Sequence, residues 1–191
     1  MSAIQFAHQR RIGEALLEAG WHATSIAVAS KPGSAWKLSD PSRRIRVHMS
    51  ADLASALAEI SSVGLPPSAG TAVPWRLVIH QASPSRIVAG TLEAPGARCG
   101  GLGTERRAIA RALESSGMRA DRGRLVQGLS GTACWASPDR QSEALWRAPC
   151  RTQPGGWLVN TAAVLLEATS SIPAAVLNPL IKTNLVLEAT P

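Results

Sequence analysis

One stretch limits the folds open to this chain more than any other, Thr104 to Ser137. Ala108, Ile109, Ala112 and Leu113 recur at the spacing of one helical face, with Thr104 placed to cap the N-terminus and Gly117 to stop the C-terminus. Glu105, Arg107 and Arg111 fall on the solvent side of that helix. A short basic turn follows, and Leu125-Val126 then runs as a strand into a Gly-rich corner, Gly128-Leu129-Ser130-Gly131-Thr132. Helix, turn, strand and tight corner in immediate succession predict a layered α/β domain, because each element has an apolar face that a neighbour must cover.

A length of 191 residues suits one domain with a real core, and 45% hydrophobic against 17% charged residues places it among globular chains. Twenty basic residues against thirteen acidic ones give a formal charge of +7, and only Lys31, Lys37 and Lys182 are not Arg. An Arg-rich surface suits an acidic partner: nucleic acid, an acidic protein or a phosphorylated ligand. Six Trp with one Phe and no Tyr leave two readings open, interface anchors or ordinary core residues. Cys99, Cys134 and Cys150 are odd in number and far apart, so neither zinc nor a disulfide framework is indicated and a reducing compartment is expected. Met1 to Glu14 lacks the apolar core of a secretory signal. The longest apolar run, Trp157 to Ala168, contains Asn160 and is too short to span a bilayer. A cytoplasmic protein with no membrane span is the expectation.

Taken in order, residues 4 to 19 predict a helix with Ile4, Ala7, His8, Ile12, Ala15, Leu16 and Ala19 on one stripe, ended by Gly20. Trp21 to Ser30 reads as a strand, Lys31 to Ser34 as a turn, Trp36 to Pro41 as a loop and Arg44 to Met49 as a half-exposed strand. Asp52 to Ile60 reads as a short helix, and Gly64 to Gly70 as a linker. Trp75 to Gln81 and Arg86 to Leu92 read as the two strands of a hairpin, followed by a Gly-rich loop from Glu93 to Gly103. Asp139 to Arg147 reads as a short helix, Cys150 to Gly156 as a loop, and Leu158 to Ala168 as a buried helix broken by Ser170-Ser171-Ile172-Pro173. Ile181 to Glu188 alternates as a strand should.

No catalytic set is visible. His8, His22, His48 and His80 lie far apart and read as structural histidines, and no nucleophile elbow or metalloprotease helix occurs. Asp139 and Glu143 stand one helical turn apart, a spacing common among exposed acids. The segment Gly100-Gly101-Leu102-Gly103-Thr104 before a helix has the ingredients of a phosphate cradle, but not Walker or dinucleotide spacing, and a plain loop is the better reading.

In series, residues 75 to 190 resemble the C-terminal half of a β-ketoacyl synthase, the thiolase-fold condensing enzyme. The resemblance rests on Arg107-Ala108-Ile109-Ala110-Arg111-Ala112-Leu113 leading to Gly117, the corner Ser130-Gly131-Thr132, and Asp139 with Glu143-Ala144-Leu145. Gly155-Gly156-Trp157 before the Leu158 to Ala168 segment, and Lys182-Thr183-Asn184-Leu185-Val186-Leu187 at the end, complete it. It implies an α/β, layered thiolase-like half fold with a mixed sheet and helices packed on it. The whole chain, 1–191, would be one shortened domain, with 1–70 a reduced N-terminal part and 71–191 the ketosynthase-like part.

The family's two catalytic histidines fall on Ser130 and at or near Trp157, neither of which can donate to a thioester oxyanion, and residues 1 to 74 hold no Cys for the nucleophile. The resemblance therefore implies a non-catalytic, chain-length-factor-like subunit with no cofactor and no metal. Its partner would be an active, full-length β-ketoacyl synthase, as a heterodimer in aryl polyene, polyketide or fatty-acid-type biosynthesis, with acyl carrier protein as a further contact. Two alternatives stay open. One is a basic nucleic-acid-binding module, supported by charge alone. The other is a small-molecule lyase or transferase, with Arg76 and Arg86 on the hairpin holding a carboxylate.

Overall fold

The computed structural model describes residues 3–25, 35–50, 56–63, 73–97, 99–121, 131–152 and 155–182. Helix α1 (Ala3–Glu18) precedes strands β1 (His22–Ser25), β2 (Ala35–Ser39), β3 (Ile45–Ser50), β4 (Ala58–Ser62) and β5 (Arg76–Gln81), and helix α2 (Pro84–Glu93) follows them. The same order then repeats. Helix α3 (Leu102–Ser115) precedes β6 (Arg119–Ala120), β7 (Thr132–Ala136), β8 (Glu143–Arg147), β9 (Gly156–Asn160) and β10 (Leu165–Thr169), and α4 (Ala174–Lys182) closes the series. All ten strands form one sheet in the order β1-β2-β3-β4-β5-β10-β9-β8-β7-β6.

That order reads the same from either edge, so the two halves are related by a pseudo-twofold axis between β5 and β10. Leu77 pairs with Ala168 and Ile79 with Leu166, and these two pairs exchange under the axis, which passes through the pair Val78–Glu167. The ends of α1 and α3 match atom for atom. Gly20 and Gly117 both take a left-handed φ, and Trp21 N–H and Met118 N–H donate back to Leu16 and Leu113 carbonyls at 3.0 and 3.1 Å. Only a residue without a Cβ takes that φ without strain.

Helices lie in the order α1-α2-α4-α3 along one face of the sheet. There they cover Leu38, Val47, Ile60, Leu77, Leu166, Val159 and Ala144, with Ile12, Leu16, Ile87, Ile109, Leu113, Val176 and Leu177 packed down from the helices. The α2–α4 crossing is tight: a Cβ on Gly90 would stand 3.1 Å from the Val176 carbonyl oxygen. Large and small residues are exchanged between the halves. Trp36 of β2 lies over Gly13 of α1, where the equivalent of Trp36 is Ala133, and Trp157 of β9 takes the place that Ala58 has in β4. All six Trp are buried, so the core reading of them holds and the interface reading does not.

The α/β class is as expected, but the sheet is antiparallel at every pairing rather than mixed, and one helical layer on one face is not thiolase-type layering. Within each half the chain runs from strand to adjacent strand, and such neighbours pair antiparallel. Several local expectations change with it. Trp36–Ser39 belongs to strand β2 rather than a loop, because Trp36 and Leu38 are buried on one side and Lys37 points to the other. Ala58–Ile60 belongs to β4 rather than a helix, while residues 51–55 and the Gly64–Gly70 stretch lie outside the described residues. Arg86–Leu92 is helix α2, not the second strand of a hairpin: Pro84 sits in the first turn, where a missing N–H costs nothing, and Ile87, Gly90 and Thr91 are buried at helical spacing. Asp139 belongs to a turn and Glu143–Arg147 to β8, not to a helix. Leu158–Ala168 is the β9–β10 hairpin, its turn closed by Thr161 N–H donating to the Val164 carbonyl at 2.8 Å. Cross-strand pairing outweighs the helix propensity of its Ala and Leu. Ile181 and Lys182 form the end of α4 rather than the start of a strand, and residues 183–191 lie outside the described residues. Among the described residues no helix is long and apolar enough to cross a membrane.

Candidate functional site: the helix-free face of the sheet

Helices cover only one side, and the other side presents the remaining half of every strand. Its central row can be read along the ladders: Lys37–His48–Glu59–Val78, then across the axis Glu167–Leu158–Leu145–Cys134. Under the pseudo-twofold, Lys37 corresponds to Cys134, His48 to Leu145 and Glu59 to Leu158. One backbone therefore carries a charged triplet on one half and an apolar triplet on the other. Leu158 is 40% exposed, among the most exposed large apolar side chains of the fold.

The charged half is internally paired. Arg76 on β5 donates to Glu59 at 2.7 Å. That hydrogen bond, against the opposing cost of burial, holds the Glu59 carboxyl below its ordinary range, with smaller contributions from the Arg76 and His48 charges. The same bond raises the Arg76 guanidinium further. His80 Nε2 stands 3.4 Å from Glu167 without hydrogen-bond alignment. These contacts tie acid to base along the sheet. They do not converge on one point, as a nucleophile with its base would have to.

Beside the apolar triplet lies a groove of about 450 Å³. Its hollow sits at Gly156, which pairs with Arg147 on one side and Thr169 on the other, while Thr169 bonds the backbone of Arg76. Arg76 and Arg147 flank it, and Val78, Leu145 and Leu158 form its apolar wall. Gly156 is required by close approach: a Cβ there would stand 2.4 Å from the Ala168 carbonyl oxygen.

Other sequence candidates fall elsewhere. Ser130 lies outside the described residues. Trp157 is a core residue, its ring 5.5 Å from Trp135 and 6.4 Å from Trp146. Arg76 and Arg86 are on different elements, a strand and a helix, so the two-Arg clamp on a hairpin does not form. Asp139 accepts from the Ser137 hydroxyl and from Gln141 N–H in the β7–β8 turn, apart from any base. His8 and His80 border one hollow of about 280 Å³, while His22 is exposed on β1. None of the three Cys is in a disulfide, and among the described residues no group of three or more His, Cys, Asp or Glu could hold a metal.

In the Gly100–Thr104 segment one backbone donor, Gly100 N–H, is already taken by a side chain of the same chain. Glu105 is buried, not on the solvent side, and accepts from Gly100 N–H and from Ala174 N–H, each at 2.6 Å. Its carboxylate thus takes up the Gly100 amide and caps the start of α4. Sequence reasoning misses the apolar triplet, because it reads Leu145 and Leu158 as helical, and on a helix neither would be a sheet-face residue. Compared with protein-family models, with curated proteins and with solved structures, the chain matches none.

Proposed function

We propose that this chain is a non-catalytic binding subunit that receives a protein partner on the helix-free face of its sheet. One observation carries the reading, the unequal decoration of equivalent positions. Lys37, His48 and Glu59 demonstrate that this sheet folds with charged side chains in that row, so folding alone does not call for Leu145 and Leu158 at the matching sites. Solvent-facing leucines that the fold does not require are best accounted for by a surface that leaves water on association.

A nucleic-acid partner is less well supported. The named rows of this face mix Glu59, Glu143 and Glu167 with Arg and Lys, and every Trp is buried, so the face lacks the basic field and stacking rings such ligands use. The resemblance to β-ketoacyl synthases supplies the first partner to try, a full-length synthase paired with this chain as a chain-length-factor-like subunit. It does not supply the docking geometry, because the antiparallel sheet has no thiolase-type layering. The test places a photo-crosslinking residue at Leu158 and, separately, at Arg107 on α3. Cross-links to one partner from Leu158 alone are expected, together with loss of binding to that purified partner on Leu158→Lys. Equal labelling from both positions would end the proposal.

A further inference from the structure

The groove beside the leucines also indicates what the partner presents. Resting on the docking-face reading above, we infer that the groove between Arg76 and Arg147 binds an extended acidic–apolar protein segment, its carboxylate on Arg147 and its apolar side chain on Leu145, Leu158 and Val78.

The two arginines differ in the way such a role needs. Arg76 is committed to Glu59 at 2.7 Å. Arg147 is half-buried at the edge of the hollow, and among the described residues its side chain makes no ion pair and no hydrogen bond. A guanidinium partly withdrawn from water and left without an anion is a planar, two-pronged site for a carboxylate. On the β9 side the approach is open, because Gly156, the neighbour of Arg147 there, has no side chain. One acid, Glu167, lines the groove; it pairs with Leu158 and Val78 and stands 3.4 Å from His80 Nε2. The groove is therefore apolar on one wall and cationic at the Arg147 end, and an acidic residue beside an apolar one complements both. The pseudo-twofold supplies the contrast: Ser50 stands where the other half has Arg147, so the cation is a property of the docking half alone.

The test is an NMR titration of the full ¹⁵N-labelled chain with three peptides: acetyl-Leu-Glu-Leu-Glu-amide, its Gln analogue acetyl-Leu-Gln-Leu-Gln-amide, and acetyl-Ser-Glu-Ser-Glu-amide. Expected are shifts centred on Leu145, Arg147, Gly156 and Leu158 with the first peptide. The Gln analogue and Arg147→Gln should each bind roughly tenfold more weakly, as for loss of one charge-assisted contact. Arg147→Lys, which keeps charge but not the fork, should fall between, and unchanged near-ultraviolet circular dichroism verifies the fold of each variant. Equal affinity for the Glu and Gln peptides would overturn the carboxylate assignment and leave the docking face standing. Shifts centred away from these residues, or none at millimolar peptide, would overturn the groove as the site. The docking face itself is judged separately, by the Leu158 cross-linking.

Discussion

Arg43 and Arg140 occupy the same place in two turns and share one backbone conformation, φ 58° in each. Around them the hydrogen bonds repeat. Asp40 N–H donates to the Ile45 carbonyl and Arg43 N–H to the Asp40 carbonyl at 3.1 and 2.8 Å. Ser137 N–H donates to Ser142 and Arg140 N–H to Ser137 at 2.9 and 3.0 Å. A left-handed residue with a Cβ is strained, so both arginines are held there by the turn. Arg43→Gly and Arg140→Gly should each stabilise the protein, by up to about 1 kcal/mol once glycine's extra chain entropy is offset. Arg43→Val and Arg140→Val should destabilise it. Urea midpoints of the four variants test this, and opposite signs at the two sites would show that the turns are not equivalent.

The same turns carry their carboxyl at different places, Asp40 in the first and Asp139 in the second, and of the two only Asp40 is buried. Asp40 is buried, and Ile45 N–H donates to its Oδ1 at 2.6 Å while Ser42 N–H donates to its Oδ2 at 3.0 Å. Burial pushes its carboxyl up, but the bonds from Ile45 and Ser42 outweigh this and leave it below the ordinary range. A carboxyl whose folded value lies below its unfolded one stabilises the fold above the unfolded value, about 3.9, and loses that contribution as pH falls through the folded value. Asp40→Ala should cost about 1–3 kcal/mol at neutral pH by stranding the buried Ile45 N–H, with a smaller share from the half-buried Ser42 N–H. The gap to wild type should begin to shrink as pH falls below about 4, where the unfolded chain takes up the proton, and shrink further as folded Asp40 protonates at lower pH. Urea titrations between acid and neutral pH measure it, and a gap independent of pH would rule out this role for the carboxylate.

Glu105 joins two elements that the sequence separates widely, accepting from Gly100 N–H and from Ala174 N–H. Glu105→Ala should destabilise by about 1–3 kcal/mol, since the buried Ala174 N–H and the half-buried Gly100 N–H lose their acceptor. Glu105→Gln keeps one acceptor oxygen and should cost less. Hydrogen exchange should show the loss first at the start of α4, and protection there that survives Glu105→Ala would contradict the assignment.

What the sequence disclosed follows from its periodicity. Helices α1 and α3 and strands β3 and β5 were legible, because Ile12 with Leu16, Ile109 with Leu113, and Val47 with Met49 keep the helical or strand period cleanly. Within α1 the stripe was rotated: Gln9 is buried and donates to the Leu57 carbonyl, while Ile4 is 70% exposed. The β9–β10 hairpin was hidden by its Ala and Leu content, and α2 by a Pro-Ser pair that turns and helix starts share. The duplication itself was not legible. Equivalent sites keep Gly20 with Gly117, Arg43 with Arg140 and Pro84 with Pro173, but elsewhere pair Trp36 with Ala133, Asp40 with Ser137 and Lys37 with Cys134. Loops of unequal length, long before β5 and tight before β10, then shift the alignment of the two halves. The candidate face depends on that symmetry, so it could not be read before the sheet order was known.

Exchange of large and small residues between the halves gives a packing test. A Cβ on Gly13 would stand 2.6 Å from the buried ring of Trp36. Alanine would raise helix propensity by up to about 1 kcal/mol, but overpacking costs roughly 1–3 kcal/mol, so Gly13→Ala should be destabilising on balance. In a Trp36→Leu background the clash is gone and Gly13→Ala should turn neutral or stabilising. A double-mutant cycle in urea reads the coupling directly, and additivity would mean that the ring moves aside freely.

Transplanting the polar half of the central row onto the apolar half separates folding from binding. In the variant Leu145→His/Leu158→Glu both positions take the residues found at their pseudo-twofold equivalents, His48 and Glu59. The backbone already accommodates that pair, and Leu158 is 40% exposed, so the urea midpoint should move by no more than about 1 kcal/mol. Partner cross-linking through this face should fall to background, because the apolar wall is lost and an acid now faces any acidic segment near Arg147. Binding would then depend on residues that stability does not need, as expected of a docking surface. A loss of several kcal/mol instead would mean that Leu145 and Leu158 serve the fold, and the asymmetry between the halves would no longer point to a partner.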